Sequence, residues 1–353
     1  MSVLETIESG ALFGGRSFHI RKASEYEPAW DGLEEASLIS SHSSSDDCFT
    51  FAQSCPRDCF SNHKVCQQVS TTSLSKRVID IGEDQMSIRL IEPKCIKAPY
   101  TALSHCWGDC QPLKSNRLNV HLRKEGIEWE SLPRTFQDAT TITRKIGLRY
   151  LRIDSLCILQ DNDQDWETEP TSMGDVYRNA YLTIAATSAS SGDIPFLTSR
   201  PDRYFKRLPF RFGDKRRPST MIEVREIPDL DKDNNIGPLD RRAWAFQEYQ
   251  LSTRILQYTE FELVWECREA TYCECIGHKN NWHSCQRVAS VHNINKPQKV
   301  WHNAVYEFLK RQMKFQSDKL PTLAGLAKIV SKSTGWNYCA GLGEENLVSD
   351  LVW

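Results

Sequence analysis

The stretch Tyr100-Thr-Ala-Leu-Ser-His-Cys-Trp107 decides how this sequence is expected to fold. It is short, aromatic and apolar, and Gly108 and Asp109 follow it directly, which is typical of a buried strand whose carboxyl end opens into a loop. A strand that is buried on both faces needs parallel neighbours and helices packed against it. We therefore expect the segments that follow to alternate between helix and strand.

The next hundred residues have this alternation. Residues 131–147 predict a helix, with Pro133 in the first turn and Gly147 as the stop. Residues 150–159 have the pattern of a second buried strand, residues 161–180 that of a second helix, and the segment YLTIAATSAS that of a third strand. A βαβαβ order predicts parallel strands joined by right-handed crossovers, with ligands at their carboxyl ends.

The flanking regions complete the predicted organisation. Residues 1–50 include a polar, serine-rich stretch and are expected to be flexible, and residues 51–97 are expected to form a Cys/His module followed by a β-hairpin. The α/β domain is expected over residues 98–266, with the basic stretch 201–218 as a solvated connector, a short helix through Glu248 and two strands after it. The remainder, 267–353, is expected to be mainly helical.

Composition and charge exclude several classes of protein. The 353 residues are 40% hydrophobic and contain 44 Lys+Arg against 46 Asp+Glu, close to a globular average and without a basic excess. We therefore expect neither nucleic acid nor a membrane surface as a partner. No apolar run approaches the roughly 18 residues that span a bilayer, and the N-terminus has no export signal, which favours a cytoplasmic protein with reduced cysteines.

One cysteine-rich segment has the composition of a metal site. Cys55, Cys59, His63 and Cys66 supply four soft ligands within twelve residues, a set that zinc could bind tetrahedrally. The alternative is that these cysteines are small apolar core residues. A second cluster of cysteines and histidines, Cys273 to Cys285, is dense, but its spacing fixes no geometry.

Four blocks of sequence, in order, resemble the fungal heterokaryon incompatibility (HET) domain. They are YTALSHCWG at 100–108, LPRTFQDA at 132–139 with YLRIDSLCILQ at 150–160, the positions Asp165, Trp166, Glu169, Met173, Tyr177 and Ala180, and RAWAFQE at 242–248 with Leu251, Ser252 and Arg254. The blocks span about 98–250, and weaker similarity reaches His63 and Cys66 upstream and residues 338–342 downstream. Arg152 stands where many relatives carry an aromatic residue.

The resemblance implies a fold similar to the Toll/interleukin-receptor (TIR) domain and a role in fungal non-self recognition and programmed cell death. It also implies protein partners or self-association through the HET domain. Because the segment Asp165 to Glu169 looks like the one that carries the catalytic glutamate of NAD-cleaving TIR domains, the first alternative is an NAD nucleosidase that uses Glu169. The chain ends at Trp353, where longer relatives continue, so a second alternative is a degenerate member that only binds.

The NAD hypothesis is chemically coherent. Cleavage of the nicotinamide–ribose bond develops positive charge on the ribose, which an ionised Glu169 would stabilise in the transition state. The other interpretation of Glu169 is a helix-start acid before Pro170.

The expected pocket for NAD lies at the strand ends. Its candidate residues are Ser104, His105, Trp107, Gly108, Asp154 and Gln160. Trp107 would stack on a base, although core packing is the favoured interpretation, and Gly108 would let the backbone approach phosphate. Turn or backbone capping is the alternative for Asp154 and Gln160.

Two further groups of residues favour structure over chemistry. Cys157 lies within the apolar run SLCIL, so a nucleophilic triad with His105 and Asp154 is disfavoured. Glu248 with Arg242 and Arg254 is expected to form a structural ion-pair network.

Overall fold

The fold is an eight-stranded mixed sheet between two layers of helices. The computed structural model describes residues 18–22, 39–67, 73–82, 88–108, 113–162, 165, 173–200, 206–210, 220–226, 237–274, 297–339 and 342–343. The strands are β1 (Phe18–Lys22), β2 (Val78–Asp80), β3 (Arg89–Ile91), β4 (Tyr100–Ser104), β5 (Tyr150–Arg152), β6 (Leu182–Ala185), β7 (Lys206–Phe210), β8 (Thr220–Glu226), β9 (Arg254–Tyr258), β10 (Leu263–Cys267), β11 (Thr271–Cys273), β12 (Tyr338–Cys339) and β13 (Leu342–Gly343). The helices are α1 (Asp46–Asn62), α2 (Val120–Glu125), α3 (Arg134–Ile146), α4 (Asp154–Cys157), α5 (173–179), α6 (Ala243–Leu251), α7 (Pro297–Leu309) and α8 (Lys319–Thr334).

Four parallel strands form the centre of the sheet, in the spatial order β5-β4-β6-β9. The first strand along the chain, β4, therefore lies between the second and the third. This is the order of flavodoxin-like doubly wound sheets, in which the chain leaves the first strand towards one side and later returns on the other. Ligands of such sheets bind where the two directions diverge, at the carboxyl ends of the strands. Here that point lies between β4 and β6.

Antiparallel hairpins close both edges of this parallel core. The hairpin of β2 and β3 pairs with β5, and the hairpin of β10 and β11 pairs with β9. The predicted α/β class, the N-terminal hairpin and the hairpin after residue 254 are therefore confirmed.

Helix α3 shows how local sequence places the main crossover. Pro133 is its N-cap, and Gly147 ends it in the left-handed conformation, at φ 86°, with its N–H bonded to carbonyls of the last turn. Phe136, Ala139 and Ile142 are fully buried, as their spacing predicts. The helix thus returns the chain across one face of the sheet, from β4 to β5.

The core consists of two apolar layers, one on each face of the sheet. In one layer, α1 and α3 pack on strand residues such as Leu103 and Leu151. In the other layer, the four helices α5, α6, α7 and α8 pack on strand residues such as Tyr100 and Ala102. Neighbouring residues of β4 enter opposite layers because strand side chains alternate between faces. This two-sided burial explains the continuous apolar pattern of residues 100–104.

The second predicted strand is shorter than its apolar run. Strand β5 ends at Arg152, and the residues that follow form one helical turn, in which Cys157 N donates to Ile153 O at 2.8 Å. An apolar run fits a buried strand and a buried helical turn equally well, so periodicity could not separate them. The expectation of a strand to residue 159 is therefore wrong beyond Arg152.

Two predicted loops contain regular structure. Within the basic stretch, β7 pairs with β8, and β8 with β1, in a separate antiparallel sheet. Pro209 fits because β7 is an edge strand. The serine-rich stretch ends in the N-cap of α1, where Ser45 Oγ accepts from Cys48 N at 3.2 Å, so residues 46–50 are helical.

The C-terminal region is mainly helical, as predicted. Helices α7 and α8 pack on α6 through residues that include Phe308, Leu326 and Phe246. No helix in the described part of the chain combines the length and the apolar character that crossing a membrane requires.

Candidate functional site at the carboxyl ends of the strands

A buried polar cluster lies where β4 and β5 end. Ser104 is the last residue of β4, Asp154 follows β5, and helices α5 and α6 bring Tyr177 and Glu248 against them. We call these four residues the acid cluster. Asp154 and Glu248 are each only 9% exposed. The cluster therefore combines two carboxyl groups with two hydroxyl groups in a largely dry environment.

Tyr177 connects the acid cluster to the sheet. Its hydroxyl lies 3.3 Å from Asp154 Oδ2 and 3.3 Å from Leu103 O, so it can donate to either oxygen. Burial, and after it the charge of Asp154, raises the pKa of Tyr177 well above its ordinary value. Tyr177 is consequently a permanent donor, and it fixes one carboxyl oxygen of Asp154.

Glu248 is the residue of the cluster that titrates in the physiological range. Burial raises its pKa to about 7, and the charge of Asp154 acts in the same direction. Hydrogen bonding with Ser104 and Tyr177, and the charge of Arg242, oppose the rise. Within the described residues Glu248 Oε2 has no hydrogen-bond partner. A carboxyl group of this kind is suited to proton transfer near neutral pH.

A buried arginine, Arg152, holds the other side of the cluster. Arg152 Nε donates to Asp154 Oδ1 at 3.2 Å, and Arg152 Nη1 donates to Arg77 O at 3.1 Å. The Arg152 side chain is buried, and its guanidinium orients one of the two buried carboxylates.

His105 lies beside the cluster but is a poor base. Burial, with a contribution from the charge of Arg242, lowers its pKa to about 3, and its ring meets Phe136 edge to face. Arg242 Nη1 donates to the carbonyl of His105. The imidazole is therefore neutral and packed in the core at physiological pH.

Trp107 and Gly108 form the rim of the site. Trp107 is half-buried and belongs to none of the three apolar clusters among the described residues, so the favoured core role is not confirmed. Gly108 has φ 74°, and a Cβ there would lie 2.5 Å from Ser191 Cβ. The glycine is required because the protein's own backbone passes close by.

Gln160 and Cys157 are held by neighbouring backbone groups. The side-chain amide of Gln160 donates through Nε2 to Ile158 O at 3.0 Å, and the backbone N–H of Gln160 donates to Ser115 O. This arrangement agrees with the backbone-capping interpretation of Gln160. Cys157 is fully buried, in agreement with a core role.

Glu169, the predicted catalytic residue, lies outside the described residues. The nearest described position of its segment is Asp165, which is buried and pairs with Lys76 and Arg77. Burial alone would raise the pKa of Asp165, but hydrogen bonds from Lys76, Leu159 N and Arg77 lower it overall. Asp165 itself is therefore an ionised carboxylate, held by two basic side chains and by the backbone N–H of Leu159.

The predicted ion-pair network around Glu248 does not form. Arg254 begins β9, where its Nε donates to Cys59 Sγ at 3.3 Å and its guanidinium lies over the Phe60 ring. Arg242 contacts the backbone of His105 instead. Sequence proximity suggested the network, but the helix α6 leads away from the acid cluster before β9 begins.

Four possible metal ligands meet at the amino end of β9. Cys59 and His63 come from the end of α1, Cys66 from the 3-10 turn after it, and Cys267 from the last position of β10. Their ligand atoms all lie within 4.8 Å of one another, so the group could bind a metal ion. We call these residues the thiol group.

The structure brings together three of the four predicted metal ligands. Cys55 is buried one turn earlier on α1 and is not part of the group, where Cys267 takes its place. A residue some two hundred positions away could not be identified from local spacing. Of the second cysteine cluster, Cys275, His278, His283 and Cys285 lie outside the described residues.

Hydrogen bonds among the three thiols lower the pKa of one of them and raise the pKa values of the other two. Hydrogen bonding from Cys267, and then from Cys59, lowers the pKa of Cys66, and the charge of Arg254 adds to the effect. Hydrogen bonding with Cys267 raises the pKa of Cys59. One proton leaves the group readily while the others are shared among the sulfurs.

Several residues of both sites had no usable signal in the sequence. Arg77 and Cys267 act through contacts that long-range folding creates. The departure from the family pattern at Arg152 was a signal, because a buried strand that accepts an arginine must supply it with partners.

Comparison with known proteins identifies the region that contains the acid cluster. Residues 100–248 match the family model described as Heterokaryon incompatibility protein (HET). No curated protein and no solved structure gives a match. The matched range begins with β4 and ends at Glu248, so it includes all four residues of the acid cluster. Over residues 100–248 the chain therefore contains a heterokaryon incompatibility (HET) domain.

Proposed function

We propose that this protein acts in fungal non-self recognition and in the programmed cell death that follows it, through protein partners or self-association in the cytoplasm. The observation that carries the proposal is the HET match over residues 100–248, which contains three of the four parallel strands of the doubly wound core, β4, β5 and β6. The strand order β5-β4-β6-β9 also supports a TIR-like architecture, because that order is the doubly wound one expected for such a domain.

Expression of the full chain in a filamentous fungus tests this role. We expect growth arrest and death of hyphal cells above a threshold of expression, because assembly depends on concentration. Gly108→Ala, which distorts the rim of the site, should weaken this response, and Gly147→Ala is its matched control because no atom lies within 4 Å of the added Cβ. Normal growth at high levels of folded protein would contradict the proposal.

The alternative function is hydrolysis of NAD to nicotinamide and ADP-ribose. It is favoured by the position of the acid cluster at the carboxyl ends of β4 and β5, because β4 borders the point of divergence where doubly wound sheets bind nucleotides. Asp165, fixed beside the end of β5, would start the segment that carries Glu169. In this scheme Glu169 stabilises the positive charge on the ribose, and the half-buried Trp107 offers a surface for stacking.

Release of nicotinamide from NAD by concentrated protein separates the two functions. If the protein is a nucleosidase, Glu169→Ala should abolish release, whereas Glu167→Ala, an acid two positions earlier in the same segment, should retain it. If the protein signals only by assembly, Glu169→Ala should still kill hyphal cells. NAD left intact over hours by the oligomerised wild type would exclude the enzymatic alternative and leave signalling or binding alone.

A further inference from the structure

We propose that Cys59, His63, Cys66 and Cys267 bind one zinc ion in a closed structural site, which fastens the N-terminal helix to the edge of the HET sheet. Three thiols and one imidazole are the donor set of many structural zinc sites. Ligand atoms around a tetrahedral zinc are roughly 3.3 to 3.8 Å apart. The four ligand atoms here lie within 4.8 Å of one another, and Cys267 Sγ is 3.2 Å from His63 Nδ1. Small side-chain movements would complete the tetrahedron.

The hydrogen bonds of His63 place its free lone pair on the correct nitrogen. The Tyr272 hydroxyl donates to Asp58 Oδ2 at 3.3 Å and lies 3.3 Å from His63 Nε2. Because that hydroxyl has one proton, it accepts from His63 Nε2–H when it donates to Asp58. Nδ1 is then unprotonated and faces Cys267. An outer partner that fixes the ring in this way is characteristic of histidines that bind metals.

The charge around the group supplies a second, independent argument. Arg254 is fully buried, and no carboxylate among the described residues forms an ion pair with it. A buried guanidinium without a counter-charge is costly. Zinc bound by three thiolates and a neutral imidazole has a net charge of about −1. Arg254, which donates to Cys59 Sγ and to Cys66 O, is placed to balance that charge.

Backbone groups complete the environment of Cys267. The N–H groups of Glu269 and Ala270 point at its sulfur, at 3.5 and 3.3 Å. Such hydrogen bonds stabilise a thiolate. All three cysteines are at most 2% exposed, which leaves no open position for substrate or water. The site therefore resembles a structural zinc site and not a catalytic one.

Zinc in this position would join parts of the chain that are distant in sequence. Three ligands belong to residues 59–66, ahead of the matched HET range, and Cys267 follows that range. The ion would hold α1 against the hairpin of β10 and β11. Since metal binding contributes directly to folding, the functional unit would extend beyond residues 100–248 on both sides.

Metal analysis of the full-length protein tests the proposal. Protein purified without chelators should contain one zinc ion per chain, and 1,10-phenanthroline should lower its melting temperature. Cys267→Ser should reduce the zinc content to a trace. Cys55→Ser is the matched control, because Cys55 is equally buried on the same helix, and this variant should retain the zinc.

Cobalt substitution keeps the test informative if Cys267→Ser does not fold. The wild-type protein with Co²⁺ should give the visible spectrum of a tetrahedral site and a charge-transfer band whose intensity corresponds to three thiolates. Tyr272→Phe, which removes only the outer hydroxyl, should weaken zinc binding by roughly 10- to 100-fold. A wild type without zinc or a tetrahedral cobalt spectrum, or one that purifies with iron, would overturn the proposal. Zinc retained by Cys267→Ser but lost by Cys55→Ser would also overturn it.

Discussion

The two ends of the parallel sheet bury opposite charges. At the carboxyl ends, Asp154 and Glu248 are enclosed with two hydroxyl groups, and Glu248 Oε2 has no donor among the described residues. At the amino end of β9, Arg254 is enclosed with three thiols, and its Nη1 has no acceptor within the same part of the chain. One end has an excess of acceptors, and the other has an excess of donors.

The two ends resolve this imbalance by different chemistry. A buried carboxyl group can take up a proton, and the raised pKa of Glu248 shows that response. A guanidinium cannot lose its proton under ordinary conditions. At the amino end the proposed zinc site would supply the anion, because its thiolates would lie beside Arg254. At the carboxyl ends, protonation of Glu248 is enough to neutralise the buried charge. At the amino end of β9, neutralising Arg254 requires a permanent negative charge.

Replacement of Arg254 by methionine should have the largest effect. With zinc-bound thiolates beside it, Arg254→Met leaves a buried anion unpaired and should cost about 3–5 kcal/mol of unfolding free energy. Arg149→Met is the control, because Arg149 pairs with Asp80 while 60% exposed and should contribute less than about 1 kcal/mol. Denaturant unfolding measures both. An Arg254→Met variant that is more stable than the wild type would show that the thiols are neutral and would break the comparison.

The pH dependence of stability should identify Glu248 as the group that responds at the other end. Its pKa is 4.5 in the reference state and about 7 when folded, so the folded protein holds the proton more tightly. Wild-type stability should therefore fall as the pH rises from about 4.5 to about 7, by at most about 3 kcal/mol from this group. Glu248→Gln resembles the protonated form, and its stability relative to the wild type should increase over this range.

Other buried groups also titrate in that window. The pKa of Asp240 is raised to about 6 by burial and acts in the same direction, whereas the pKa of His105 is lowered to about 3 and acts in the opposite one. Both are present in wild type and variant, so the difference between the two unfolding curves isolates Glu248. A difference that does not change with pH would show that Glu248 is ionised when folded.

Gly108→Ala should give a smaller loss that tests how firmly the carboxyl-end loop is packed. The positive φ of Gly108 should reduce the unfolding free energy by about 1 kcal/mol when any other residue occupies the position. The contact between the added Cβ and Ser191 Cβ should remove about 1–2 kcal/mol more. Gly147→Ala is the matched control, with φ 86° but no atom within 4 Å of the added Cβ, and should lose only the first contribution. Thermal melts compare the two. Equal losses would mean that the loop moves aside.

Much of the fold could be predicted from hydrophobic periodicity and from the residues that start and end helices. The spacing of Phe136, Ala139 and Ile142 with Gly147 fixed α3, and the apolar run from Tyr100 fixed the central strand. Periodicity could not distinguish a buried turn from a strand at Asp154, nor indicate that a proline-containing basic segment would form β7.

The sites were predictable only where the order of the strands, or close spacing along the chain, brings their residues together. Ser104 and Asp154 follow strands, so their convergence was expected from parallel topology. Tyr177 and Glu248 come from helices whose rotation about their axes depends on packing, and Cys267 comes from a distant hairpin. Glu248 was assigned to the wrong partners because Arg254 is close along the chain.

The packing of helix α6 determines which fragments of this protein can be expressed in folded form. One face of α6 packs on the sheet, and α8 passes so close to the other that a Cβ on Gly325 would lie 2.0 Å from the Gln247 side chain. A gene fragment trimmed to residues 100–248 would remove that cover and would end inside the helix. Such a fragment should aggregate in bacterial expression, whereas one that runs from residue 18 to residue 343 keeps the paired strands and the covering helices and should stay monodisperse.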